Sequence, residues 1–301
     1  MRIAVTGANG LVGSRLCREL SAQGHDVVAI GRGERRIGGS FDFISCELSD
    51  AQQVTAALTK ANAEVVINTA SMTEVDACEK APDQAYAANV TAPANLSLAC
   101  RASGAHLVHV STDYVFDGDH GPYDEEAIPN PRGVYAVTKH MGEQAVRTLA
   151  PSWAIARTAV VYGWPMAARP NFGAWLLQSL QKGGPVKLFD DQYVSPSLAD
   201  NVAQMLAEVG ARKLQGIFNV CGADVVNRVE FGRALCREFG LDASVIVPTR
   251  LADLKLASPR PLRSGLLTQK ISAALETVKP LGLDESLRRF HAAYDAAQSA
   301  P

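Results

Sequence analysis

The first half of the chain alternates short apolar runs with longer stretches in which apolar residues recur at helical spacing. The runs Ile3–Val5 and Val65–Ile67 lack polar alternation, which is typical of strands buried on both faces of a parallel sheet. The pattern predicts strands over residues 2–5, 26–30, 65–68, 107–111 and 154–161, and helices over residues 10–21, 51–61, 82–103 and 134–149. Strands that alternate with helices indicate βαβ crossovers. The predicted fold class is therefore α/β, with a doubly wound parallel sheet.

The pattern changes after Gly163, where prolines such as Pro165, Pro170 and Pro185 divide the chain into shorter elements. Proline interrupts helices and central strands because it has no backbone N–H to donate. We expect residues 1–162 to form the sheet domain and residues 163–301 to form a smaller C-terminal subdomain. Some segments of that subdomain are expected to return to the first domain.

Composition and charge exclude several classes of protein. The 301 residues are 47% hydrophobic and 20% charged, which is typical of a globular protein and not of a disordered one. A formal net charge of −2 gives no basic surface for nucleic acid or an anionic membrane, and no apolar run is long enough for a spanning helix. The six cysteines are scattered without a Cys-x-x-Cys pair, so we expect neither disulfides nor a metal site, and a cytoplasmic location.

A glycine-rich turn lies between the first predicted strand and the first predicted helix. Glycines at this position permit a tight turn and let backbone N–H groups approach a pyrophosphate, which the partial positive charge of the helix N-terminus attracts. The alternative is an ordinary strand-to-helix turn. The position of the turn within a βαβ unit favours a dinucleotide site. Its predicted cofactor-binding residues are Gly7, Asn9, Gly10, Leu11, Val12 and Gly13.

The second predicted strand is followed by Arg32, at the position where NAD-binding proteins often present an acidic residue to the ribose. A guanidinium group forms paired hydrogen bonds with phosphate. Arg32 therefore favours NADPH through its 2′-phosphate, with NADH as the alternative. A solvated loop of arginines, including Arg35 and Arg36, is the other interpretation.

Tyr135 and Lys139 are four residues apart on a predicted helix, so their side chains share one face. A free tyrosine has a pKa of about 10, and a nearby ammonium group would lower it. Thr112 follows the fourth predicted strand, at the end of the sheet where α/β proteins bind ligands. Its hydroxyl could hold a substrate carbonyl while the phenol protonates it. The alternatives are an exposed helix pair and a capping hydroxyl.

With these features in this order, the chain resembles an extended short-chain dehydrogenase/reductase, and most of all the dTDP-4-dehydrorhamnose reductase family. Further markers are Asn68–Ser71, Val75–Glu79, Asn89, Ser111–Phe116, Tyr135–Glu143, Arg157-Thr158, Asn171-Phe172, Asp191-Gln192 and Arg260-Pro261. The resemblance implies a Rossmann-type NAD(P)-binding domain and a substrate-binding subdomain. It also implies NADPH-dependent reduction of the 4-keto group of a deoxy-sugar nucleotide, with dTDP-4-dehydrorhamnose converted to dTDP-rhamnose as the favoured case.

The resemblance also implies roles for individual residues. Tyr135 would be the general acid, Lys139 would bind the nicotinamide ribose and tune Tyr135, and Thr112 would bind the keto oxygen. Tyr135 and Lys139 would thus also contact the cofactor. Further cofactor-binding residues would be Glu47, Leu48, Thr69, Ala70, Ser71 and Asn89, and the substrate would contact Thr112, Asp113, Tyr114, Asn171 and Gln192.

Departures from the family pattern keep other functions open. The tryptophan that these reductases usually carry beside the sugar is replaced by Ala159-Val160-Val161, which leaves the sugar unspecified. One alternative is a cofactor-binding regulatory subunit that resembles the β subunit of methionine adenosyltransferase. Another is a sugar-nucleotide epimerase or dehydratase, although Asp113-Tyr114 lacks the acidic pair common in dehydratases. The sequence leaves a homodimer open.

Overall fold

The structure is a computed structural model that describes residues 1–164 and 171–299. The expected chain breaks at Pro165 and Pro170 lie outside the described residues. The strands are β1 (Arg2–Thr6), β2 (Asp26–Gly31), β3 (Asp42–Ser45), β4 (Val65–Asn68), β5 (His106–Thr112), β6 (Trp153–Thr158), β7 (Val161–Tyr162), β8 (Val186–Phe189), β9 (Tyr193–Val194), β10 (Ser197–Leu198), β11 (Gly216–Asn219), β12 (Val226–Asn227) and β13 (Ile246–Thr249).

The α-helices are α1 (Leu11–Ala22), α2 (Ala51–Ala61), α3 (Val75–Lys80), α4 (Pro82–Tyr86), α5 (Ala92–Ser103), α6 (Val134–Leu149), α7 (Phe172–Gln181), α8 (Ala199–Ala211), α9 (Arg228–Phe239), α10 (Gln269–Ala274) and α11 (Leu283–Gln298). A π-helical turn (Ala87–Thr91) joins α4 to α5. Short 3₁₀ turns cover Asp113–Val115, Ala243–Val245 and Leu251–Asp253.

Seven strands form the central sheet in the order β11-β6-β5-β4-β1-β2-β3, and every pairing in it is parallel. The predicted α/β class with a Rossmann-type parallel sheet is confirmed. Because all strands run the same way, their carboxyl ends lie along one edge of the sheet, where the loops carrying the candidate site begin.

Three local predictions were wrong. The sequence pattern missed β3 and α3, which are only four and six residues long. The single helix predicted over residues 82–103 is divided by the π-helical turn. The strand predicted over residues 154–161 ends at Thr158, because Val160 adopts a left-handed backbone conformation with φ of 42° before β7 begins.

Both faces of the sheet are buried, which explains the uninterrupted apolar runs. On β1, Ile3 packs with Leu16 of α1 and Leu206 of α8 in one core cluster. The neighbouring Ala4 belongs to a second cluster, with Leu96 of α5 on the opposite face. Side chains alternate across a strand, so both alternating sets must be apolar when helices cover both faces.

The C-terminal residues contribute to two parts of the fold. A third core cluster packs α7, α9 and α11 around residues that include Leu176, Phe231 and Phe290. The chain between residues 199 and 219 instead joins the central sheet, where α8 packs on α1 and β11 pairs with β6. The division of the chain at residue 162 stays a prediction.

Candidate active site

The glycine turn closes tightly between β1 and α1. Gly7 has a left-handed φ of 71°, and the Gly10 N–H donates to the Gly7 carbonyl at 2.8 Å. A Cβ on Gly13 would overlap the Gly7 carbonyl oxygen and lie 2.8 Å from Thr69 Oγ1. Gly10 caps α1 without any side-chain hydrogen bond, so the N–H groups at the start of the helix have no side-chain acceptor. The turn and the uncapped helix fit a dinucleotide phosphate.

The loop after β2 is organised by Asn9. Its side chain donates to the Glu34 carbonyl at 3.0 Å and accepts from the Arg36 N–H at 2.9 Å. Arg35 is committed to the same loop through hydrogen bonds to the Ile37 and Phe41 carbonyls. Arg32 is different, because its side chain is 85% exposed and lies 3.7 Å from the Glu47 carboxylate. Unlike that of Arg35, the guanidinium group of Arg32 is not held by the carbonyls of the loop.

The residues that follow β4 lie against the glycine turn. Thr69 Oγ1 donates to the Thr6 carbonyl at 2.7 Å, and the Ala70 N–H donates to Asn68 Oδ1 at 3.1 Å. A Cβ on Gly7 would lie 2.7 Å from the Ala70 nitrogen. The structure thus brings the predicted Thr69 and Ala70 beside the turn, with Ser71 next in the chain. Contact with a cofactor stays a prediction.

Asn89 and Leu48 have partners within the protein. The Asn89 side chain is buried, accepts from the Met72 N–H at 2.9 Å, and donates to Thr138 Oγ1 at 3.2 Å. It therefore joins the loop after β4 to α6. The Leu48 carbonyl accepts from Asn95 of α5 at 3.0 Å. Their predicted roles in cofactor binding stay predictions.

Thr112 and Tyr135 meet at the carboxyl end of β5. The Tyr135 side chain is 7% exposed, and its phenol lies beside the Thr112 side chain. Burial raises the pKa of Tyr135, and the neighbouring Thr112 opposes that shift. The ring of Tyr114 packs edge-on against Tyr135, with 5.5 Å between their centroids. A buried phenol of this kind stays protonated at neutral pH and can act as an acid.

Lys139 lies one turn after Tyr135 on the buried face of α6. Its Nζ donates to the Val110 carbonyl of β5 at 2.7 Å. Burial lowers the pKa of Lys139 to about 8, and the Glu143 carboxylate opposes that shift. The pKa of Tyr135 is raised and not lowered, because burial is the largest influence on the phenol. That Lys139 tunes Tyr135 stays a prediction.

A buried ion pair lies beneath these residues. Glu143 accepts two hydrogen bonds from Arg157 of β6, at 3.0 and 2.8 Å. Burial alone would raise the pKa of Glu143, but the hydrogen bonds and charge of Arg157 hold it at about 2. No role was predicted for this pair from the sequence. The spacing of four residues between Lys139 and Glu143 was the available signal.

Asp113 connects Thr112 to the C-terminal subdomain. One carboxylate oxygen accepts from the Thr112 hydroxyl at 3.1 Å, and the other accepts from the Ser264 hydroxyl at 2.5 Å. Burial raises the pKa of Asp113 to about 6, although these hydrogen bonds oppose the shift. Asp113 therefore orients Thr112. Ser264 was missed because nothing in its local sequence distinguishes it.

Tyr114 and Gln192 form the side of the site towards the C-terminal subdomain. Burial raises the pKa of Tyr114 to about 12, and the charges of Arg260 and Arg228 and the neighbouring Gln192 side chain oppose the shift. Gln192 is 3% exposed, accepts from Arg228 Nε at 3.2 Å and donates to the Pro261 carbonyl at 3.3 Å. The predicted substrate residues Asp113, Tyr114 and Gln192 thus lie around the Thr112–Tyr135 pair.

Asn171 has a structural role in the described residues. Its Oδ1 caps α7 by accepting from the Ala174 N–H at 3.1 Å, and its Nδ2 donates to the Gly163 carbonyl at 2.8 Å. This is the ordinary behaviour of asparagine at a helix N-cap. The predicted contact of Asn171 with substrate stays a prediction.

A segment from the C-terminal subdomain crosses to the sheet domain beside Tyr135. Ser258 donates to Glu79 of α3 at 2.7 Å, and Arg260 pairs with Asp76 of the same helix at 2.9 Å. Glu79 also accepts from the Val134 N–H at the start of α6, at 2.7 Å. The same acidic helix therefore holds both the N-terminus of α6 and the crossing segment.

Residues 1–164 and 171–299 contain no group of three or more His, Cys, Asp or Glu side chains that could hold a metal ion. They also contain no helix with the length and apolar character needed to cross a bilayer.

The parallel sheet, the glycine turn and the buried Thr112, Tyr135 and Lys139 define the class of short-chain dehydrogenases/reductases. The family model described as "RmlD substrate binding domain" matches residues 1–294. The chain belongs to this family, and the resemblance seen in its sequence motifs is confirmed.

Individual relatives match nearly the whole chain. It is 37% identical over 295 residues to a probable low-salt glycan biosynthesis reductase of Haloferax volcanii, covering 96% of this chain and 97% of the relative. It is 33% identical over 306 residues to the dTDP-4-dehydrorhamnose reductase of Mycobacterium tuberculosis, covering 100% and 93%. The crystal structure of dTDP-4-dehydrorhamnose reductase from Bacillus anthracis in complex with NADP is 26% identical, with a TM-score of 0.86 and coverage of 97% and 98%.

Proposed function

We propose that this protein is an NADPH-dependent reductase of the 4-keto group of a deoxy-sugar nucleotide. The favoured reaction converts dTDP-4-dehydrorhamnose to dTDP-rhamnose. The adjacent Thr112 and Tyr135 side chains carry the proposal, because they place a hydroxyl and a protonated phenol together at the carboxyl end of the sheet. The reductase names of the full-length relatives support it further.

The proposed chemistry assigns one task to each side chain. The Thr112 hydroxyl, which donates to Asp113 in the structure, turns its proton to the keto oxygen, and Tyr135 gives its proton to that oxygen as the carbonyl is reduced. Lys139 is protonated at neutral pH and binds the nicotinamide ribose beside Tyr135. NADPH, when bound, supplies the hydride. Positioning both reactants in one site provides the orientational part of the rate enhancement.

The cofactor assignment rests on the turn and on Arg32. The glycine turn and the uncapped start of α1 fit the pyrophosphate, and the exposed Arg32 guanidinium at the end of β2 suits a 2′-phosphate. The complex of the Bacillus anthracis relative with NADP supports NADPH, and NADH remains the alternative cofactor.

The proposal also covers the cellular location and the oligomeric state of the enzyme. A cytoplasmic location is supported by six buried cysteines that are all unpaired, as expected in a reducing compartment. A homodimer is kept as a prediction, and sedimentation equilibrium of the purified protein tests it.

The decisive experiment follows NADPH and NADH oxidation with a panel of 4-keto sugar nucleotides. Wild type is expected to prefer NADPH and a dTDP-linked substrate, and Tyr135→Phe is expected to lose most of its kcat, because general acid catalysis contributes about 10²- to 10⁴-fold. Tyr86→Phe, at an exposed tyrosine of α4, is the matched control and should keep wild-type activity.

The same experiment separates the alternatives. A regulatory subunit would consume no NADPH with any substrate. An epimerase would carry tightly bound nicotinamide through purification and would oxidise no added cofactor. Either result, or wild-type activity in Tyr135→Phe, overturns the reductase proposal.

A further inference from the structure

Arg228 is held in a fixed position on the substrate side of the site. It is the first residue of α9, and its guanidinium group lies over the Phe172 ring, 4.4 Å from the centroid. Its Nε donates to Gln192 Oε1 at 3.2 Å. The stacking and the hydrogen bond fix the plane of the guanidinium, so its outer nitrogen atoms are oriented before any ligand binds.

Arg228 makes no ion pair in the described part of the chain, although the charge of the buried Asp113 acts on it without direct contact. Its Nη1 is shielded from solvent and has no hydrogen-bond partner. The two oxygens of Asp113 already accept from Thr112 and Ser264. The Glu230 carboxylate accepts from the backbone N–H of Asn227 in the capping box of α9. A buried, unpaired charged donor is costly, so a ligand that completes it would gain binding energy.

Arg260 is a second arginine near Tyr114 and can be compared with Arg228. Both Arg228 and Arg260 lie close enough to Tyr114 for their charges to oppose the rise in its pKa. Arg260 is neutralised by Asp76 at 2.9 Å. In residues 1–164 and 171–299, no carboxylate makes an equivalent ion pair with Arg228. The two guanidinium groups therefore differ in their capacity to bind an added anion.

A short series of contacts links Arg228 to the reacting centre. Arg228 donates to Gln192, Gln192 lies beside Tyr114, and the Tyr114 ring packs on Tyr135. The guanidinium is thus separated from the phenol by two side chains. A ligand that reaches both groups must extend beyond the keto group whose oxygen Tyr135 protonates.

We propose that Arg228 binds a phosphoryl oxygen of the diphosphate that joins the sugar to the nucleotide. This inference rests on the proposed function, which makes a sugar nucleotide the substrate. A neutral sugar hydroxyl could accept a hydrogen bond from Nη1 but would leave the guanidinium group without an ion pair. A phosphate group accepts the hydrogen bond from Nη1 and also carries a negative charge that pairs with the guanidinium. Its oxygens suit the paired hydrogen bonds that a planar guanidinium favours.

The test measures dTDP binding to the NADPH-saturated protein by titration calorimetry, with thymidine affinity obtained by competition. Arg228→Gln is expected to raise the Kd for dTDP by about ten- to a hundredfold, which corresponds to one charged hydrogen bond. Its affinities for thymidine and NADPH should stay at the wild-type values. Arg233→Gln is the matched control, because it removes the same charge from an exposed position of α9 and should change none of these affinities.

Arg228→Lys serves as the second variant, in case the glutamine variant loses its native circular dichroism. It keeps the charge but loses the planar fork, so we expect a several-fold weaker affinity for dTDP with thymidine unchanged. Wild-type affinity for dTDP in a folded Arg228 variant overturns the inference. Equal losses for dTDP and thymidine also overturn it, because Arg228 would then shape the pocket and not bind the phosphate.

The outcomes distinguish this inference from the function on which it rests. Turnover of a sugar nucleotide by wild type, together with an unchanged dTDP affinity in Arg228→Gln, refutes only the role of Arg228. A wild-type protein that neither oxidises NADPH nor binds dTDP refutes the proposed function and, with it, the diphosphate site.

Discussion

Lys139 and Glu143 lie one helical turn apart on the buried face of α6, yet each is held by a different partner. The Lys139 ammonium donates to the Val110 carbonyl at 2.7 Å, and the Glu143 carboxylate binds Arg157 through two hydrogen bonds. Glu143 still opposes the burial that lowers the pKa of Lys139. The carboxylate therefore contributes to stability through Arg157 and to the charge of the site through Lys139.

We predict that Glu143→Ala lowers the free energy of unfolding at pH 7 by about 3–5 kcal/mol, because it leaves the buried Arg157 without its counter-ion. Denaturant unfolding measures the change. Glu285→Ala removes an exposed carboxylate that pairs with Arg288 and Arg289 on α11, and it should change stability little. Equal effects of the two substitutions would show that the buried pair contributes no more than a surface pair.

The pH dependence of stability follows from the same carboxylate. The pKa of Glu143 is about 2 in the folded protein and 4.5 in its reference state, so the unfolded chain binds more protons between these values. The contribution of Glu143 to the free energy of unfolding is present above about pH 4.5 and is lost as the pH falls towards 2. The stability difference between wild type and Glu143→Ala should narrow over this interval, and a constant difference would contradict the assignment.

The activity of the proposed reductase should fall above about pH 8. Lys139 loses its proton there and can no longer bind the ribose as a cation. The pH profile of kcat/KM for NADPH reports this ionisation in the free enzyme. Glu143→Gln removes the carboxylate that raises the pKa of Lys139, so its alkaline fall in activity should begin at a lower pH. A profile that is flat from pH 7 to 9, or is unaltered in the variant, argues against this role of Lys139.

Gly13→Ala is expected to disrupt the dinucleotide site. The added Cβ would overlap the Gly7 carbonyl oxygen and crowd Thr69, and such overpacking costs about 1–3 kcal/mol. Fluorescence titration should show weakened NADPH binding. Gly184→Ala is the control, since a Cβ there meets no atom within 4 Å. NADPH binding that is unaffected in Gly13→Ala would place the cofactor elsewhere.

Arg32→Ala should weaken the binding of NADPH without weakening that of NADH. Loss of a guanidinium that binds the 2′-phosphate is expected to raise the Kd for NADPH about tenfold or more and to leave that for NADH unchanged. Arg237→Ala, at an exposed arginine of α9, is the charge-matched control. If Arg32→Ala weakens both cofactors equally, or neither, Arg32 does not select NADPH.

Features that depend on nearby residues could be predicted from the sequence. The glycine turn and the pair Tyr135 and Lys139 each lie within one strand-to-helix connection or one helix, so spacing alone relates their atoms. The apolar runs predicted the parallel sheet because both faces of each central strand are buried. The left-handed backbone at Val160 and the π-helical turn around Asn89 were not predicted, because neither has a distinctive local sequence.

The order of residues along the chain therefore determined the fold class, the dinucleotide turn and the candidate catalytic side chains, since these arise from short-range periodicity and steric limits. Tertiary structure alone decided which charged side chains of the site have partners, because those partners lie far away in the sequence. Ser264 reaches Asp113 across 151 residues, and Arg228 meets Gln192 and Phe172 from separate elements. Burial and pKa values depend on those long-range contacts, because desolvation and Coulomb interactions act between atoms that folding brings together.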